Sequence, residues 1–398
     1  MKIGLVGKPS AGKSTFFKAL TLQEVEISNR PFTTIKPNIG TAYVKVKGVA
    51  EEFGVTANPR RGYCFKGYRF VPVEVIDVAG LVPGAHEGKG LGNQFLDELR
   101  QADVLIHIVD ASGSTDENGR YIGPGNHDPC KDIRFLEEEI SYWIKGILER
   151  NFEKISRLEL QAKKKKEELL LRTLSGLNIS IEEVKKALEY NELSSKPLKE
   201  WKSSDLLEFA KRIREISKPI VIAANKSDVD TSKENIKRMK KEFPEKLIVP
   251  VSAYAELALK LAARKKLIEY VPGESDFKII GKPDEKQEAL LNTIKEKVLK
   301  PFGTTGVQEV LDKAVFDVLG YVAVFPVANQ KLRDKEGRIL PDCFLMRPNS
   351  TALDLAFKIH EELGRNFIRA IDVRTGKFLG KDYKLRHRDV IEIIAGKS

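Results

Sequence analysis

Cysteine is scarce in this sequence, and long hydrophobic runs are absent. The three cysteines, Cys64, Cys130 and Cys343, stand far apart and form no CxxC pair, which excludes a disulfide-dense scaffold and fits a reducing compartment. No stretch approaches the roughly 18 apolar residues of a membrane span, and the first residues lack the apolar segment of a signal peptide. We therefore expect a cytoplasmic protein without a membrane partner.

The bulk composition is that of a globular protein with excess positive charge. Hydrophobic residues make up 41% and charged residues 31% of 398 residues, a length that suggests two or three domains. The net charge of +11 is high. It favours a polyanionic partner such as RNA or an acidic membrane surface, and a solvated, lysine-rich surface is the alternative.

Five short apolar runs read as buried strands. They are Lys2–Val6, Phe70–Val78, Val104–Val109, Ile220–Ala224 and Leu247–Val251. Because helical segments separate them, they predict an α/β fold with a mostly parallel sheet covered on both faces. Pro72 suggests that the second strand lies at an edge or starts irregularly.

Two regions depart from this alternation. Residues 129–218 are charged and helical in periodicity, and they are too many for a loop. They predict a helical insertion, a long antiparallel hairpin, in a domain formed by residues 1–128 and 219–317. The run Lys163–Lys166 within it is either a solvated helix face or a binding surface.

The tail, residues 318–398, predicts a small α+β domain. Two strands, a helix over Ala352–Leu363 and two more strands follow one another, with Ser350 as the N-cap and Gly364 as the C-cap of the helix. From Gly320 to Ser398 there are 15 Lys and Arg against 10 Asp and Glu, so the tail is basic.

The strongest motif, GKPSAGKS, follows the first strand directly and matches the P-loop pattern GxxxxGK[ST]. Its backbone N–H groups can cradle a β-phosphate at the start of a helix near Lys13. Lys13 would neutralise β- and γ-phosphate charge, and the hydroxyl of Ser14 would bind Mg²⁺. The residues assigned to GTP binding here are Gly7, Lys8, Pro9, Ser10, Ala11, Gly12, Lys13, Ser14 and Thr15.

Two further motifs complete a nucleotide site. Asp77 and Gly80 form a DxxG motif after the second strand, where Asp77 can hold Mg²⁺ through water and the Gly80 N–H can bind the γ-phosphate. Asn225, Lys226 and Asp228 form an NKxD motif after the fourth strand.

The NKxD motif predicts guanine selectivity. Asp228 can accept two hydrogen bonds from guanine, and adenine would leave this carboxylate unsatisfied. Asn225 would tie the loop to the P-loop, and the stem of Lys226 would lie along the base. Ser252 and Ala253, after the fifth strand, would offer a backbone N–H to the guanine oxygen.

A hydroxyl that ligates Mg²⁺ and senses the γ-phosphate is expected between the P-loop helix and the DxxG strand. Thr33 and Thr34 both lie there, and spacing alone does not choose between them.

In its motifs the chain resembles the Obg-related GTPases, and within them the YchF-like branch. The blocks GKPSAGKST, PFTTIKPNIG, DVAGLVPGAHEGKGLGNQFL and NKSD carry the resemblance, which spans nearly the whole chain. It implies that Thr34 is the magnesium ligand, that the tail is a TGS domain of β-grasp fold, and that the helical insertion is a coiled-coil-like arm. Together with the motifs, it assigns catalytic roles to Lys13, Thr34 and Gly80.

Three positions bear on catalysis. Many YchF-like proteins have lost NKxD and prefer ATP, whereas NKSD is intact here and guanine preference is expected. Leu81 stands where Ras-like enzymes have a water-orienting glutamine, so slow intrinsic hydrolysis is expected unless a partner or another residue, such as His86, acts on the water. Ser10 replaces the asparagine of potassium-activated relatives, which speaks against potassium dependence.

The sequence thus predicts a Mg²⁺-dependent GTP-binding and GTP-hydrolysing switch whose partner is RNA, above all the ribosome. A P-loop ATPase or kinase, and an RNA-binding scaffold with a structural nucleotide site, are the alternatives. Whether the helical arm binds RNA or protein stays open.

Overall fold

Seven strands form the central sheet of the computed structural model, which describes residues 1–22, 38–78, 98–161, 164–328, 332–334 and 336–396. The strands are β1 (Lys2–Val6), β2 (Ile39–Lys47), β3 (Tyr63–Phe65), β4 (Tyr68–Asp77), β5 (Val104–Asp110), β6 (Ile220–Asn225) and β7 (Ile248–Pro250). Their order is β2-β4-β1-β5-β6-β7, and β3 also pairs with β4. Strands β1, β4, β5, β6 and β7 are parallel, while β2 and β3 run antiparallel to β4. The mostly parallel sheet predicted from the sequence is confirmed.

The proline in β4 lies in the interior of the sheet rather than at an edge. Pro72 pairs with Tyr43 of β2 on one side. On the other side the pairing of β4 with β3 extends only as far as Phe70, and its pairing with β1 starts at Glu74. The missing N–H of Pro72 therefore falls in the gap between two short partner strands, and this gap is why the sheet tolerates it.

Helices lie on both faces of the central sheet and also in the tail. Those with both ends in the described residues are α1 (Lys13–Thr21), α2 (Pro129–Gln161), α3 (Lys166–Thr173), α4 (Ile181–Leu188), α5 (Ser203–Ser217), α6 (Ser232–Glu242), α7 (Ala253–Arg264), α8 (Glu285–Ile294), α9 (Lys300–Phe302), α10 (Val307–Lys313), α11 (Ala352–Ile359) and α12 (Glu361–Arg365). Two π-helical turns, Lys295–Leu299 and Ala314–Val318, continue α8 and α10. A small antiparallel pair, β8 (Ile268–Glu269) and β9 (Lys278–Ile279), follows α7.

The helical insertion between β5 and β6 consists of α2 to α5, one long and three shorter helices. This differs from the predicted hairpin of two long helices. The left-handed residue Asn178 and the capping box of Ser180 with Glu183 separate α3 from α4. Helix α2 packs against α5. The buried side chains of this region form one core with sheet residues such as Val6 and Leu105, so the insertion is docked on the sheet.

Lys166, in the basic run of the insertion, is not part of a solvated face. Its side chain is buried, and Nζ donates to the carbonyl oxygens of Leu193 and Ser194 at 2.8 and 3.0 Å and to that of Lys196. Burial lowers the pKa of this lysine. The solvated-face prediction is therefore wrong for Lys166, because three carbonyl groups satisfy its ammonium group inside the insertion.

The tail folds into a second sheet with the order β11-β10-β14-β12-β13. Its strands are β10 (Val322–Val327), β11 (Phe344–Met346), β12 (Phe367–Asp372), β13 (Phe378–Leu379) and β14 (Val390–Ala395). Helix α11 covers one face, and its buried residues Ala352 and Leu355 belong to an apolar cluster with those of the sheet. The predicted α+β unit is confirmed, with β13 as an additional strand.

The ends of the tail helix differ from the prediction. Thr351, not Ser350, is the N-cap, and it forms a capping box with Asp354. The helix ends at Ile359, and Gly364 lies inside the short helix α12 rather than at a C-cap. Ser350 instead accepts the backbone N–H of Leu385 at 2.9 Å.

Polar contacts anchor the tail on β4 and on the turn that follows β2. Arg69 of β4 is 2% exposed and donates to the carbonyl oxygens of Leu340 and Pro341 at 3.2 and 2.9 Å. Glu52 pairs with Arg374 at 2.7 Å and also with Arg388. Apolar residues from the sheet and the tail share one core, so the tail is docked on the sheet domain.

Candidate nucleotide-binding site

The P-loop has the backbone of a phosphate cradle. It leaves β1 at Val6 and enters α1 at Lys13, with Ser10 and Gly12 at positive φ values of 60° and 96°. A Cβ on Gly7 would lie 2.5 Å from the carbonyl oxygen of Ile108, so no side chain fits there. This geometry turns backbone N–H groups inward at the start of a helix, where an anion is stabilised.

Lys13 and Asp77 meet at the mouth of the P-loop. Strands β1 and β4 are parallel neighbours with Leu5 opposite Asp77, which brings the ends of both strands together. The ammonium group of Lys13 forms a direct ion pair with the carboxylate of Asp77, and both side chains are partly accessible. The structure therefore places the predicted phosphate-binding lysine and the predicted magnesium carboxylate side by side.

The oxygen donors at this mouth fit a magnesium ion that is shared with phosphate. Ser14 lies in the first turn of α1 and is exposed, and Asp77 supplies a carboxylate. Mg²⁺ prefers oxygen ligands and usually combines one or two protein groups with substrate phosphates. The described residues contain no group of three or more His, Cys, Asp or Glu that could hold a metal ion by themselves.

Asn225 joins the NKxD loop to the P-loop, as the sequence suggested. Its Nδ2 donates to the carbonyl oxygen of Ala11 at 2.9 Å, and its Oδ1 accepts the N–H of Ala253 at 3.0 Å. A Cβ on Gly12 would lie 2.3 Å from the same Nδ2. The amide thus links three loops. A backbone N–H of Ser252 or Ala253 was expected to bind the guanine oxygen, but Asn225 already engages that of Ala253 and the carbonyl oxygen of Thr305 engages that of Ser252.

Asp228 and Ser252 form the base end of the site. The hydroxyl of Ser252 donates to Oδ1 of Asp228 at 2.7 Å and accepts the N–H of Ala255 at 3.2 Å as the N-cap of α7. The backbone N–H of Ser252 donates to the carbonyl oxygen of Thr305 at 2.9 Å. Ser252 is therefore fixed from two sides and holds the orientation of the Asp228 carboxylate.

Lys226 is tied to a buried carboxylate that sequence reasoning missed. Lys226 has a positive φ of 64°, and its Nζ donates to Asp110 Oδ2 at 2.9 Å. Asp110 ends β5 and is completely buried; it also accepts hydrogen bonds from Ser112, Ser114 and Thr115. Burial would raise the pKa of Asp110, but the hydrogen bonds from Lys226, Ser112 and Thr115 outweigh it and hold that pKa below its usual range. A carboxylate at the end of a buried strand, followed by Ala-Ser-Gly-Ser-Thr, was the available sequence signal.

The side chain of Lys8 anchors the P-loop from behind. Its Nζ lies 2.8 Å from Asp132 Oδ2 in α2 and donates to the carbonyl oxygen of Thr115 at 2.8 Å. Its ammonium group is thus engaged by the protein, and only the backbone of Lys8 is left for a ligand. Thr15 lies in the first turn of α1 with Ser14.

Several predicted site residues lie outside the described residues. They are Thr33, Thr34, Gly80, Leu81 and His86. The magnesium role of Thr34 and the γ-phosphate role of Gly80 stay predictions.

The fold and this site define the class of protein. They are those of a P-loop GTPase domain with a helical insertion and a C-terminal TGS domain. Family models match in the same order: "50S ribosome-binding GTPase" at residues 2–131, "Obg-like GTPase YGR210-like, G4 motif-containing domain" at 223–329, and "TGS domain" at 331–395.

Whole-chain relatives give the family. A GTP-binding protein of Methanocaldococcus jannaschii is 49% identical over 396 residues, 99% of this chain and 98% of that protein. The ribosome-binding ATPase YchF of Bacillus subtilis is 29% identical over 416 residues, 98% of this chain and 97% of that protein. A crystal structure of a GTP-binding protein from Pyrococcus horikoshii covers both chains completely at 40% identity, with a TM-score of 0.80. The chain belongs to the Obg-like, YchF-type GTPase family.

One further observation concerns membranes. Within the described ranges, no helix combines the length and the apolar character needed to cross a lipid bilayer.

Proposed function

We propose that the protein is a Mg²⁺-dependent GTPase that acts as a cytoplasmic molecular switch with the ribosome or another RNA as its partner. The observation that carries the guanine assignment is the carboxylate of Asp228, which Ser252 orients at 2.7 Å beside the Asn225 junction. A fixed carboxylate binds a base with two adjacent donors, as guanine has, more tightly than adenine, which lacks this pair of donors. The P-loop and Lys13 supply the phosphate end of the same site.

Different residues would bind the phosphates, hold the magnesium ion and sense the γ-phosphate. The P-loop N–H groups and Lys13 bind the β- and γ-phosphates, so the ion pair between Lys13 and Asp77 opens when nucleotide enters. Ser14 and Asp77 would hold Mg²⁺, which neutralises phosphate charge when bound. Thr34 and Gly80 are the proposed sensors of the γ-phosphate, whose loss would release their segments.

A ribosomal partner is supported by likeness and by charge. The family model over residues 2–131 is described as a 50S ribosome-binding GTPase, and the Bacillus subtilis relative is named a ribosome-binding ATPase. The basic tail is compatible with RNA. Because the side chain of Leu81 has no hydrogen-bonding atom to orient water, we expect slow hydrolysis by the protein alone and acceleration by its partner.

ATP is the second candidate substrate, because the Bacillus subtilis relative is named an ATPase. Single-turnover cleavage of GTP and ATP, each with and without ribosomes from the same source, separates the possibilities. GTP selectivity and ribosome-dependent acceleration are expected. Equal or faster cleavage of ATP would overturn the assignment of Asp228, and GTP cleavage that ribosomes leave unchanged would overturn the ribosomal partner.

A further inference from the structure

A tight hairpin that follows β5 packs directly against the P-loop. Thr115 and Tyr121 pair as an antiparallel bridge, and we call the segment Thr115–Tyr121 the P-loop hairpin. Gly119 at its tip has a positive φ of 79°. A Cβ on Gly119 would lie 2.6 Å from both Cβ and the carbonyl oxygen of Pro9. The hairpin tip therefore touches the P-loop backbone with no space for a side chain between them.

The hairpin is held in a single shape by polar contacts. At the tip, Asp116 Oδ1 accepts the N–H groups of Asn118 and Arg120 at 3.0 and 2.8 Å. At the base, the hydroxyl of Thr115 donates to the buried Asp110 at 2.7 Å, and Lys8 of the P-loop binds the Thr115 carbonyl oxygen. The P-loop and the hairpin are thus one connected unit, and the backbone of the tip is held at a fixed place relative to the phosphate cradle.

Arg120 is the cation at this tip. It is exposed and follows Gly119 directly. Other cations around the site are engaged: Lys8 with Asp132, and Lys226 with Asp110. Among the described residues, no ion pair or hydrogen bond engages the guanidinium group of Arg120, while its backbone N–H is bound by Asp116. An exposed arginine whose guanidinium group has no partner among the described residues therefore follows the glycine that touches the P-loop.

Such a group has a defined use in phosphoryl transfer. In hydrolysis, a water oxygen forms a bond to the γ-phosphorus, the bond from this phosphorus to the β–γ bridging oxygen breaks, and GDP keeps that electron pair. Both protons of the water end on the released phosphate, one on the oxygen that attacked and one on another phosphate oxygen. Negative charge grows on the phosphate oxygens during this step, and an arginine that contacts them accelerates it by about 10³- to 10⁵-fold in other GTPases.

We propose that Arg120 is a catalytic residue that contacts the triphosphate of bound GTP and stabilises the charge that develops on cleavage. This inference rests on the proposed GTPase function. The rigid hairpin supplies the positioning, and the free guanidinium group supplies the charge. The side chain of Leu81 cannot form a hydrogen bond, so a charge delivered from the hairpin contributes a larger share of the stabilisation in this chain.

Single-turnover GTP cleavage by the full chain tests the proposal. Arg120→Ala should slow cleavage by at least about tenfold and by up to roughly 10³-fold, while the Kd of GDP changes little. Arg120→Lys should recover part of the rate, and added guanidinium ion should partly rescue Arg120→Ala. Asn118→Ala, on the same exposed tip, is the matched control and should cleave GTP as the wild type does, with an unchanged Tm for every variant.

The outcomes separate this inference from the function on which it rests. Wild-type cleavage with an unaffected Arg120→Ala variant would overturn the role of Arg120 alone. Equal weakening of GTP and GDP binding at an unchanged cleavage rate would also overturn it, because that result describes binding without catalysis. A wild type that cleaves ATP instead would overturn the guanine assignment, and the Arg120 comparison would be made with ATP. A wild type that cleaves neither nucleotide would overturn both.

Discussion

Replacing Asp110 by asparagine should disturb the guanine end of the site from within the protein core. The carboxylate is 0% exposed and accepts five hydrogen bonds. The donors are the N–H and hydroxyl of Ser112 at 3.1 and 2.5 Å, the hydroxyls of Ser114 and Thr115 at 2.9 and 2.7 Å, and Lys226 Nζ at 2.9 Å. Asparagine keeps the shape but turns an NH₂ group toward some of these donors and removes the charge.

The expected decrease in the free energy of unfolding follows from the hydrogen bonds that Asp110→Asn loses. The bond to Lys226 is charge-assisted and contributes roughly 1.5–3 kcal/mol, and a hydroxyl that must reorient adds about 1 kcal/mol. The side chain of Lys226 is 28% exposed, so water compensates part of the loss. We expect a net destabilisation of about 2–4 kcal/mol and a decrease in Tm on the order of 5 °C.

Thermal unfolding and the fluorescence of a labelled GDP analogue measure the two consequences. The analogue should bind roughly tenfold more weakly, because Lys226 loses the partner that fixes its stem. Glu117→Gln removes an exposed charge from the same loop and is the matched control. If the Tm and GDP affinity of Asp110→Asn equal those of Glu117→Gln, the carboxylate does not support the NKxD loop and the reasoning fails.

Three other changes test separate parts of the molecule. Asp228→Asn should abolish the preference for GTP over ATP in competition binding, and a retained preference would refute the base assignment. Burial raises the pKa of Asp312 from 3.8 to about 7, so the folded chain keeps a proton that the unfolded chain releases. The free energy of unfolding should therefore decrease as the pH rises from about 4 to about 7, by at most about 4 kcal/mol. In urea unfolding, the Asp312→Asn variant should lack this contribution to the pH dependence. Arg69→Ala removes two buried bonds to the tail and should cost roughly 3 kcal/mol in urea unfolding, whereas an unchanged midpoint would contradict the anchoring role.

The sheet and the phosphate cradle could be predicted because their constraints act on consecutive residues. An apolar run such as Val104–Val109 indicates a strand that is buried on both faces. The motif GKPSAGKS indicates a backbone that approaches an anion closely. Strand β2 was not predicted, although Val44, Lys45, Val46 and Lys47 alternate as a half-buried strand does.

The N-cap of the tail helix could have been predicted from the spacing of its neighbours rather than from residue type alone. Ser350 and Thr351 are both good N-caps by residue type. Only Thr351 has an acidic residue three positions later, Asp354, that can return a hydrogen bond to the N-cap backbone. The three-residue spacing, rather than the preference for a hydroxyl, was the decisive signal.

The buried polar anchors could not be predicted because their partners are distant in the chain. Lys8 binds the Thr115 carbonyl oxygen across 107 positions, and Lys226 binds Asp110 across 116. Both lysines belong to nucleotide-binding motifs. The ammonium group of Lys8, however, binds Asp132 and the Thr115 carbonyl oxygen instead of a ligand. Lys226 keeps its place in the site because Asp110 binds its ammonium group. Lys8 and Lys226 carry the same ammonium group. Its burial and the nearest carboxylate determine whether it stabilises the fold or contributes to the nucleotide site. Sequence motifs therefore locate the loops of this site, and the tertiary contacts between those loops determine which of their charges remain for a ligand.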